Sequence, residues 1–134
     1  MYKIAMRNGS PVNVGQMIEL DKAPASEFEP GYLCCIVDGE ATTVTLGVCP
    51  DALVSEVNGN KLTAMLLTDD MILEAPSDGN ASNYKVGKKV EAQSDRVYVD
   101  ALTDFCQIVD VLDAPARGSK ILVRITHSSK KTNY

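Results

Sequence analysis

The chain has 134 residues, of which 45% are hydrophobic, 23% charged and 5% aromatic, and its net charge is −5. This length and hydrophobic fraction suit one compact, soluble globular domain and exclude a chain that is disordered throughout. No apolar run approaches the roughly 20 residues of a membrane-spanning helix, the start lacks the apolar core of a signal peptide, and the acidic charge disfavours nucleic-acid binding.

Short segments with period-two alternation recur along the chain, separated by Gly, Pro, Asn and Asp. In chain order, strands are predicted at 32–37, 43–48, 53–57, 61–67, 71–75, 96–100, 105–111 and 120–125. Asn58-Gly59 predicts a hairpin with a type I′ turn, because both central residues of that turn need positive φ. A short helix at 50–56 stays open, since proline tolerates the first helical turn. About ten strands with close turns predict an all-β barrel or sandwich.

An internal repeat divides the chain. Residues 13–48 match residues 85–120 without gaps at an offset of 72, with seven of 36 positions identical. The aligned pairs include Gly15 with Gly87, Cys34 with Cys106 and Ile36 with Ile108. The match predicts two duplicated β-units within one compact domain, 1–70 and 71–134, the second ending in a basic polar tail. We expect positive φ at both aligned glycines, where the chain bends out of a loop; the alternative is that the two segments share only the general requirements of a turn that enters a strand.

Four cysteines occur, at positions 34, 35, 49 and 106, and none forms the Cys-x-x-Cys spacing of a structural zinc site. Adjacent Cys34 and Cys35 must point to opposite faces of an extended strand. We expect them to be small buried hydrophobes in a reducing cytoplasm. Whether Cys34 approaches Cys106 across the core stays open.

Residues suited to catalysis or metal binding are sparse. The single histidine, His127, lies in the polar tail, where a base would lack fixed geometry. Adjacent Asp69 and Asp70 predict a turn, and no calcium-type loop surrounds them. Because phosphate-binding glycine motifs are also absent, we expect no enzyme, no cofactor and no metal. An enzyme that uses Asp69, Asp70 or Asp110 is the last-ranked alternative.

A surface for protein partners is the remaining possibility. The N-terminal strand places Tyr2, Ile4 and Met6 on one face, and a short strand near a chain end can add to the sheet edge of another chain. The alternative is that this strand is the first strand of the protein's own sheet. Apolar residues 65–67 and 71–73 are expected in the core, with a subunit interface as their alternative.

The second half contains a recognisable order of segments. It consists of Met71-Ile72-Leu73-Glu74-Ala75-Pro76, Tyr84-Lys85-Val86-Gly87, Val97-Tyr98-Val99-Asp100, Ile108-Val109-Asp110-Val111 and Gly118-Ser119-Lys120-Ile121-Leu122-Val123-Arg124-Ile125. This order resembles the small capsid decoration (head-stabilising, or cement) proteins of tailed phages. Their β-domains contain a lysine-valine-glycine turn, a strand and a closing glycine … valine-arginine strand. The resemblance covers residues 71–125.

The resemblance implies a non-enzymatic virion structural protein that binds the outer surface of an expanded capsid. Such proteins sit as trimers or monomers at junctions between subunits of the major capsid protein, on the virion surface, after synthesis in the host cytoplasm. Charge, composition and the missing motifs predict no nucleic acid, no membrane and no cofactor as partners, and the resemblance transfers no contact residues. The alternative is a cellular β-barrel adaptor or ligand-binding module, for example an oligonucleotide-binding-like barrel.

Overall fold

The computed structural model is built from β-strands joined by short turns. It describes residues 2–7, 10–11, 15–24, 26–44, 50–68, 71–76, 85–87, 89–92, 97–98, 106–111 and 120–125. Over these residues the strands are β1 (Lys3–Ile4), β2 (Met6–Arg7), β3 (Ser10–Pro11), β4 (Met17–Lys22), β5 (Leu33–Val37), β6 (Glu40–Thr43), β7 (Ala52–Asn58), β8 (Lys61–Leu66), β9 (Ile72–Pro76), β10 (Lys89–Ala92), β11 (Val97–Tyr98), β12 (Cys106–Val111) and β13 (Lys120–Ile125). The described residues form no helix, and the predicted all-β fold is confirmed.

Five strands close into a barrel in the order β4-β6-β5-β7-β8. Four of its five strand pairings are antiparallel, and two of these are the hairpins β5–β6 and β7–β8. The fifth pairing, between β4 and β6, is parallel and pairs only residues 21–22 with residues 40–41. The loop after β4 continues along β6, where the Oγ of Ser26 accepts a hydrogen bond of 3.3 Å from the backbone N–H of Thr43. This loop therefore extends the short parallel pairing.

Six other strands form an open antiparallel sheet in the order β1-β9-β13-β12-β10-β11. All barrel strands lie within residues 17–66, and the sheet strands lie within 72–125 with the exception of β1. β1 joins the sheet by pairing with β9, with Ile4 opposite Leu73. β2 and β3 form a separate two-stranded ribbon. The start of the chain therefore completes the sheet built from the second half.

Two apolar clusters make the core. The barrel interior contains Leu20, Phe28, Cys34, Ala41, Ala52, Val54, Leu62 and Ala64. The layer between barrel and sheet contains Tyr2, Leu33, Cys35, Val44, Leu53, Met65, Leu67, Met71, Leu73, Ala75, Val90, Ile108, Ile121, Val123 and Ile125. Alternation along β5 divides its side chains between the two, because successive residues of a strand point to opposite faces. The expected core location of Met65, Leu67, Met71 and Leu73 is confirmed.

The β7–β8 hairpin is present, but its turn differs from the prediction. Asn58 pairs with Lys61, so the two-residue loop is Gly59-Asn60 and not Asn58-Gly59. Of these loop residues only Gly59 has positive φ, at 62°, which is the pattern of a type II′ turn; the predicted type I′ turn is wrong. A bulge at Ser55 accompanies this register: it shifts β7 by one residue against β8, so that Asn58 pairs with Lys61 and does not lie in a three-residue loop.

The β5–β6 hairpin has the type I′ pattern instead. Val37 pairs with Glu40, which leaves Asp38 and Gly39 as the loop. Both loop residues have positive φ, 50° and 80°. Asp-Gly is a strong sequence signal for this turn. Asp38-Gly39 is therefore the sequence signal that predicts this hairpin, whereas the alternation of apolar residues does not predict it.

The described strands confirm most of the predicted ones. β5, β12 and β13 coincide with the segments predicted at 32–37, 105–111 and 120–125. The prediction of a short helix at 50–56 is wrong, because β7 covers most of this segment. Alternate side chains of β7 pack into the two apolar clusters, as expected of a strand. The strand predicted at 43–48 overlaps β6 only at its first residue, and residues 45–49 lie outside the described part of the chain.

The 72-residue offset aligns β4 with β10 and β5 with β12, but the paired neighbours differ. β4 and β5 are not adjacent in the barrel, whereas β10 and β12 pair directly. The duplication into units 1–70 and 71–134 therefore stays a prediction. Gly87 has the expected positive φ, 92°. The positive φ expected at Gly15 is wrong. Glycine is required there by close packing, since a Cβ would overlap the backbone carbonyl oxygen of Leu66.

Candidate functional site

The N-terminal strand, predicted to carry a partner surface, is part of the protein's own sheet. β1 is an edge strand next to β9, so the alternative interpretation of this strand is confirmed. Tyr2 is 1% exposed and packs between barrel and sheet. Ile4 is partly buried against the same layer, and the side chain of Met6 lies outside the described residues. Tyr2 therefore serves the core, and a partner interface that includes Tyr2, Ile4 and Met6 stays a prediction.

A groove of about 300 Å³ runs beside β1. Its lining consists of Tyr2, Lys3, Ile4, Met17, Pro30, Gly31, Leu53, Val54, Ser55 and Met65. The groove lies between β1 and barrel residues of β4, β7 and β8. Met17 and Met65 are opposite each other, and Met17 is 49% exposed. An apolar floor thus meets solvent along the edge of the sheet.

One side of the β1 backbone faces this groove. The N–H of Ala5 donates to the carbonyl of Ile72 over 3.1 Å, on the β9 side. Because neighbouring residues of an antiparallel strand direct their backbone groups to opposite sides, the N–H and C=O of Ile4 point away from β9. On that side the N–H of Tyr2 donates to the carbonyl of Gly31 over 2.8 Å. The edge therefore presents one pair of backbone groups, those of Ile4, toward the groove.

An ion pair crosses from β1 to β9 at the rim of the groove. The Nζ of Lys3 lies 3.5 Å from the Oε1 of Glu74, and the two residues are directly opposite in the ladder. The Lys3 side chain is 59% exposed. An exposed lysine on an edge strand hinders unselective strand pairing, because a neighbouring chain must accommodate the charge. Because Glu74 offsets the charge of Lys3, this pair by itself gives the edge no preference for an acidic or a basic partner.

The buried polar side chains of the described residues are those of Ser26 and Asp51. Oδ2 of Asp51 accepts a 2.7 Å hydrogen bond from the N–H of Ile36. The Asp51 N–H donates to the carbonyl of Cys34 over 2.8 Å, and its carbonyl accepts from the N–H of Leu67 over 2.9 Å. Asp51 thus joins three segments where the β5–β7 pairing ends. Sequence reasoning missed this role, because a buried acid at the start of a strand has no local signal.

Cys34 and Cys35 behave as the sequence predicts. Both are buried and form no disulfide, with Cys34 in the barrel interior and Cys35 in the layer below the sheet. Burial, and to a smaller extent the neighbouring Cys35, raises the pKa of the Cys34 thiol to about 12. Since the thiolate is the reactive form, Cys34 is unsuited to nucleophilic chemistry. As a free thiol, Cys34 forms no disulfide with Cys106 in this fold.

A polar cavity of about 460 Å³ lies at one end of the barrel. Its lining consists of Asp21, Lys22, Pro24, Glu40 and Asn60. Nearby, the Nζ of Lys61 lies 3.2 Å from Oδ1 of Asp21 and 3.6 Å from Oε1 of Glu19. The hydrogen bond and charge of Asp21, followed by the charge of Glu19, raise the pKa of Lys61 above its usual 10.5. The positive charge of Lys61 offsets the negative charges of Asp21 and Glu19, so this cavity is not arranged to bind a cation.

Most of the residues that the sequence analysis considered for catalysis lie outside the described part of the chain. Asp69, Asp70 and His127 lie outside the described residues, and Asp110 is exposed on β12. Within the described part of the chain, no group of three or more His, Cys, Asp or Glu residues is arranged to hold a metal ion. The expectation that the chain is not an enzyme stays a prediction.

No family model, curated protein or solved structure matches this chain at a significant level. The part of the chain that the structure describes contains no helix with the length and apolarity needed to cross a bilayer. The likeness to capsid decoration proteins therefore depends on the order of sequence segments in the second half.

Proposed function

We propose that this chain is a non-enzymatic virion structural protein that binds the outer surface of a phage capsid and stabilises the expanded shell. The observation that supports this proposal best is the apolar groove beside β1, where the backbone N–H and C=O of Ile4 point away from β9. Sheet edges of this kind bind extended segments of partner proteins through backbone hydrogen bonds, and adjoining pockets take alternate side chains. The major capsid protein is the proposed partner.

The distribution of polar groups supports a binding role over a catalytic one. The buried carboxylate of Asp51 is engaged by the backbone N–H of Ile36, and the buried Ser26 hydroxyl is engaged by Thr43. In the described residues, no buried side-chain nitrogen or oxygen lacks a hydrogen-bond partner. These groups hold the barrel together, which leaves the apolar groove as the feature suited to a protein partner.

Stabilisation of a shell follows from mass action. A protein that binds the expanded shell but not the unexpanded one stabilises the former by about 2.7 kcal/mol per site at a free concentration 100 times its Kd. The resemblance in residues 71–125 supports this role, since those segments supply five strands of the open sheet. We propose a trimer or a monomer as the binding unit, on the virion surface.

Co-sedimentation with capsids tests the proposal. Expanded and unexpanded shells are assembled from the major capsid protein of the phage that encodes this chain, and each is titrated with the purified protein. We expect saturable binding at a fixed stoichiometry to expanded shells only, with a higher temperature of heat disruption. Absence of saturable binding to expanded shells would refute the proposal.

A matched pair of variants tests the role of the groove. Met17→Lys places a charge in the groove, and Val37→Lys places the same charge at a residue of similar exposure, 52%, at the end of β5. We expect the first to weaken shell binding and the second to leave it unchanged. If both variants bind shells equally well, the groove is not the surface that binds the shell.

The second candidate function is that of a cellular β-barrel adaptor or ligand-binding module. The groove volume of about 300 Å³ favours it, because that value lies at the lower end of the range for small-molecule sites, roughly 300–1,000 Å³. Fluorescence of an uncharged apolar dye, Nile red, distinguishes the two. Dye binding that is lost in Met17→Lys, together with no shell binding by the unmodified chain, would favour the ligand-binding module.

A further inference from the structure

The end of the β7–β8 hairpin carries the dipeptide Asn58-Gly59. Asn58 is the last residue of β7 and pairs with Lys61, while Gly59 and Asn60 form the loop. All four residues are exposed to solvent. Asparagine is a thermolabile residue. Its side-chain amide is open to attack by the backbone nitrogen of the next residue, so the residue that follows it decides how readily it reacts.

Gly59 offers an accessible nitrogen for this attack. Its N–H makes no hydrogen bond within the described part of the chain. A side chain at Gly59 would meet no atom within 4 Å of its Cβ, so the turn leaves open space around this residue. Because glycine has no side chain of its own, nothing shields its nitrogen from Cγ of Asn58.

Asn60, in the same loop, provides a comparison. The residue after it is Lys61, which is the ladder partner of Asn58. In the pair that closes a two-residue hairpin loop, the N–H of Lys61 donates to the carbonyl of Asn58. The nitrogen next to Asn60 is therefore held in the ladder, and the lysine side chain still shields it when the pair opens. The nitrogen next to Asn58 has neither restraint.

The ladder nevertheless restrains Asn58 itself. Attack forms a five-membered ring, in which the Gly59 nitrogen eclipses Cβ of Asn58 at a ψ of about −120°. Residues of an antiparallel strand have a ψ of about +135° instead. The Nδ2 of Asn58 also donates to Oε1 of Glu56 over 3.1 Å, which directs the amide back along β7. The reaction therefore needs the last ladder pair to open, and exposed pairs at the end of a strand open most readily.

We infer that Asn58 is a site of spontaneous deamidation whose rate is controlled by opening of the last pair of the β7–β8 hairpin. In the open state the Gly59 nitrogen bonds to Cγ of Asn58, the bond between Cγ and Nδ2 breaks, and ammonia leaves with the proton of the Gly59 N–H. Water then opens the cyclic imide at either carbonyl carbon and gives aspartate or isoaspartate at position 58. The net reaction consumes one water and releases one ammonia, with no oxidation or reduction.

The modification changes the end of the barrel irreversibly. Its product has a carboxylate in place of the amide donor, so the hydrogen bond to Glu56 becomes a contact between like charges. In isoaspartate the backbone is also longer by one methylene, which disturbs the register of the pair with Lys61. The loop lines the polar cavity through Asn60, whose carbonyl accepts from the N–H of Lys22 over 2.7 Å. We therefore expect the modified hairpin to lose its last pair at the rim of that cavity.

Incubation of the purified chain in mildly alkaline buffer, with and without guanidinium chloride, tests the inference. Trypsin releases residues 23–61, and tandem mass spectrometry assigns the exchange of ammonia for water to Asn58 or Asn60. Assignment by peptide is needed because a second Asn-Gly dipeptide, at 8–9, lies outside the described residues. We expect Asn58 to convert roughly 5- to 150-fold more slowly in the folded chain than in denaturant, since two ladder hydrogen bonds must open first. Asn60 should stay unmodified in the folded chain.

A matched pair of variants tests the restraint by Glu56. Glu56→Ala removes the acceptor that holds the Asn58 side chain, and Glu27→Ala removes the same charge from another exposed position. In the folded chain we expect Asn58 to convert about twofold faster in Glu56→Ala than in Glu27→Ala. In denaturant the two variants should convert at the same rate, because the hydrogen bond is then absent in both.

Three results would overturn this inference. Equal rates for Asn58 in the folded and the denatured chain would show that the hairpin exerts no control. Absence of conversion in the folded chain, over the longest time that the expected range allows, would show that the pair does not open. Equal rates for Glu56→Ala and Glu27→Ala in the folded chain would refute the role of the Glu56 side chain. None of these results involves a capsid, so the proposed function is tested separately.

Discussion

Replacement of Asp51 by alanine tests the view that this buried acid holds the barrel together. The carboxylate accepts a 2.7 Å hydrogen bond from the N–H of Ile36, and the side chain is almost fully buried. Asp51→Ala removes the acceptor and leaves that N–H without its partner. Asp51→Asn keeps an oxygen at the same place but removes the charge, so it separates the hydrogen bond from the charge.

The expected cost follows from the geometry. A hydrogen bond to a charged group contributes about 1.5–3 kcal/mol, and a buried donor left unpaired costs about 1–3 kcal/mol. Because Ile36 is only partly buried, we expect Asp51→Ala to lower the free energy of unfolding by about 2 kcal/mol. With an unfolding entropy of about 2.1 cal/mol/K per residue, that loss lowers the Tm of a chain of this length by about 7 °C. Asp51→Asn should cost about half as much.

Urea denaturation followed by far-ultraviolet circular dichroism is the suitable assay, because the chain has no tryptophan. Glu27→Ala is the control, since it removes the same charge from an exposed position. We expect a lower midpoint at an unchanged m-value for Asp51→Ala, and no change for Glu27→Ala. If Asp51→Ala unfolds at the same urea concentration as Glu27→Ala, the carboxylate does not stabilise the barrel and the reasoning fails.

Three further predictions concern a buried thiol, two glycines and one buried and one exposed apolar side chain. The folded-state pKa of the Cys34 thiol, about 12, exceeds the unfolded value of 9.0, so its contribution to stability is complete below pH 9 and is lost between pH 9 and 12. We expect urea denaturation to show a loss of about 1 kcal/mol in the free energy of unfolding at pH 10. If Cys34→Ala keeps the same pH dependence, this explanation is wrong. Gly39→Ala should lower the free energy of unfolding by about 1–2 kcal/mol, because alanine is strained at the positive φ of this residue. Gly15→Ala should lower the Tm more than Gly39→Ala does, because a backbone carbonyl occupies the space that the new Cβ needs. Equal Tm values for the two variants would refute this difference. Leu73→Ala, at a fully buried residue, should lower the free energy of unfolding by about 2–5 kcal/mol, whereas Met17→Ala should lower it by less than about 0.5 kcal/mol. Similar urea midpoints for the two variants would contradict the burial of Leu73.

Strand positions were predictable where alternation is local. In β13 the sequence predicts Ile121, Val123 and Ile125 on one face, and all three are buried. The β7–β8 hairpin was also predictable, but its turn was not, because the bulge at Ser55 shifts the register within the ladder. A bulge depends on how two strands fit against the rest of the barrel, and one strand's sequence does not record that fit.

The candidate site was only partly predictable. The sequence singles out the N-terminal strand, yet it places Tyr2 on a partner surface, whereas the fold buries Tyr2 between barrel and sheet. The groove combines Ile4 with Met17, Leu53 and Met65, which are far apart in the chain. No spacing pattern brings such residues together.

The sequence by itself determined the all-β class, the faces of the strands and the burial of Cys34 and Cys35 on opposite sides of β5. These properties follow from the period-two geometry of a single strand, which a short stretch of residues specifies. Only the tertiary structure decided that 17–66 close into a barrel, that β1 joins β9, and that the sheet stops at β1 with an apolar groove beside it. The physical reason is that strand order depends on pairing between distant segments, and the same alternating pattern is compatible with many orders.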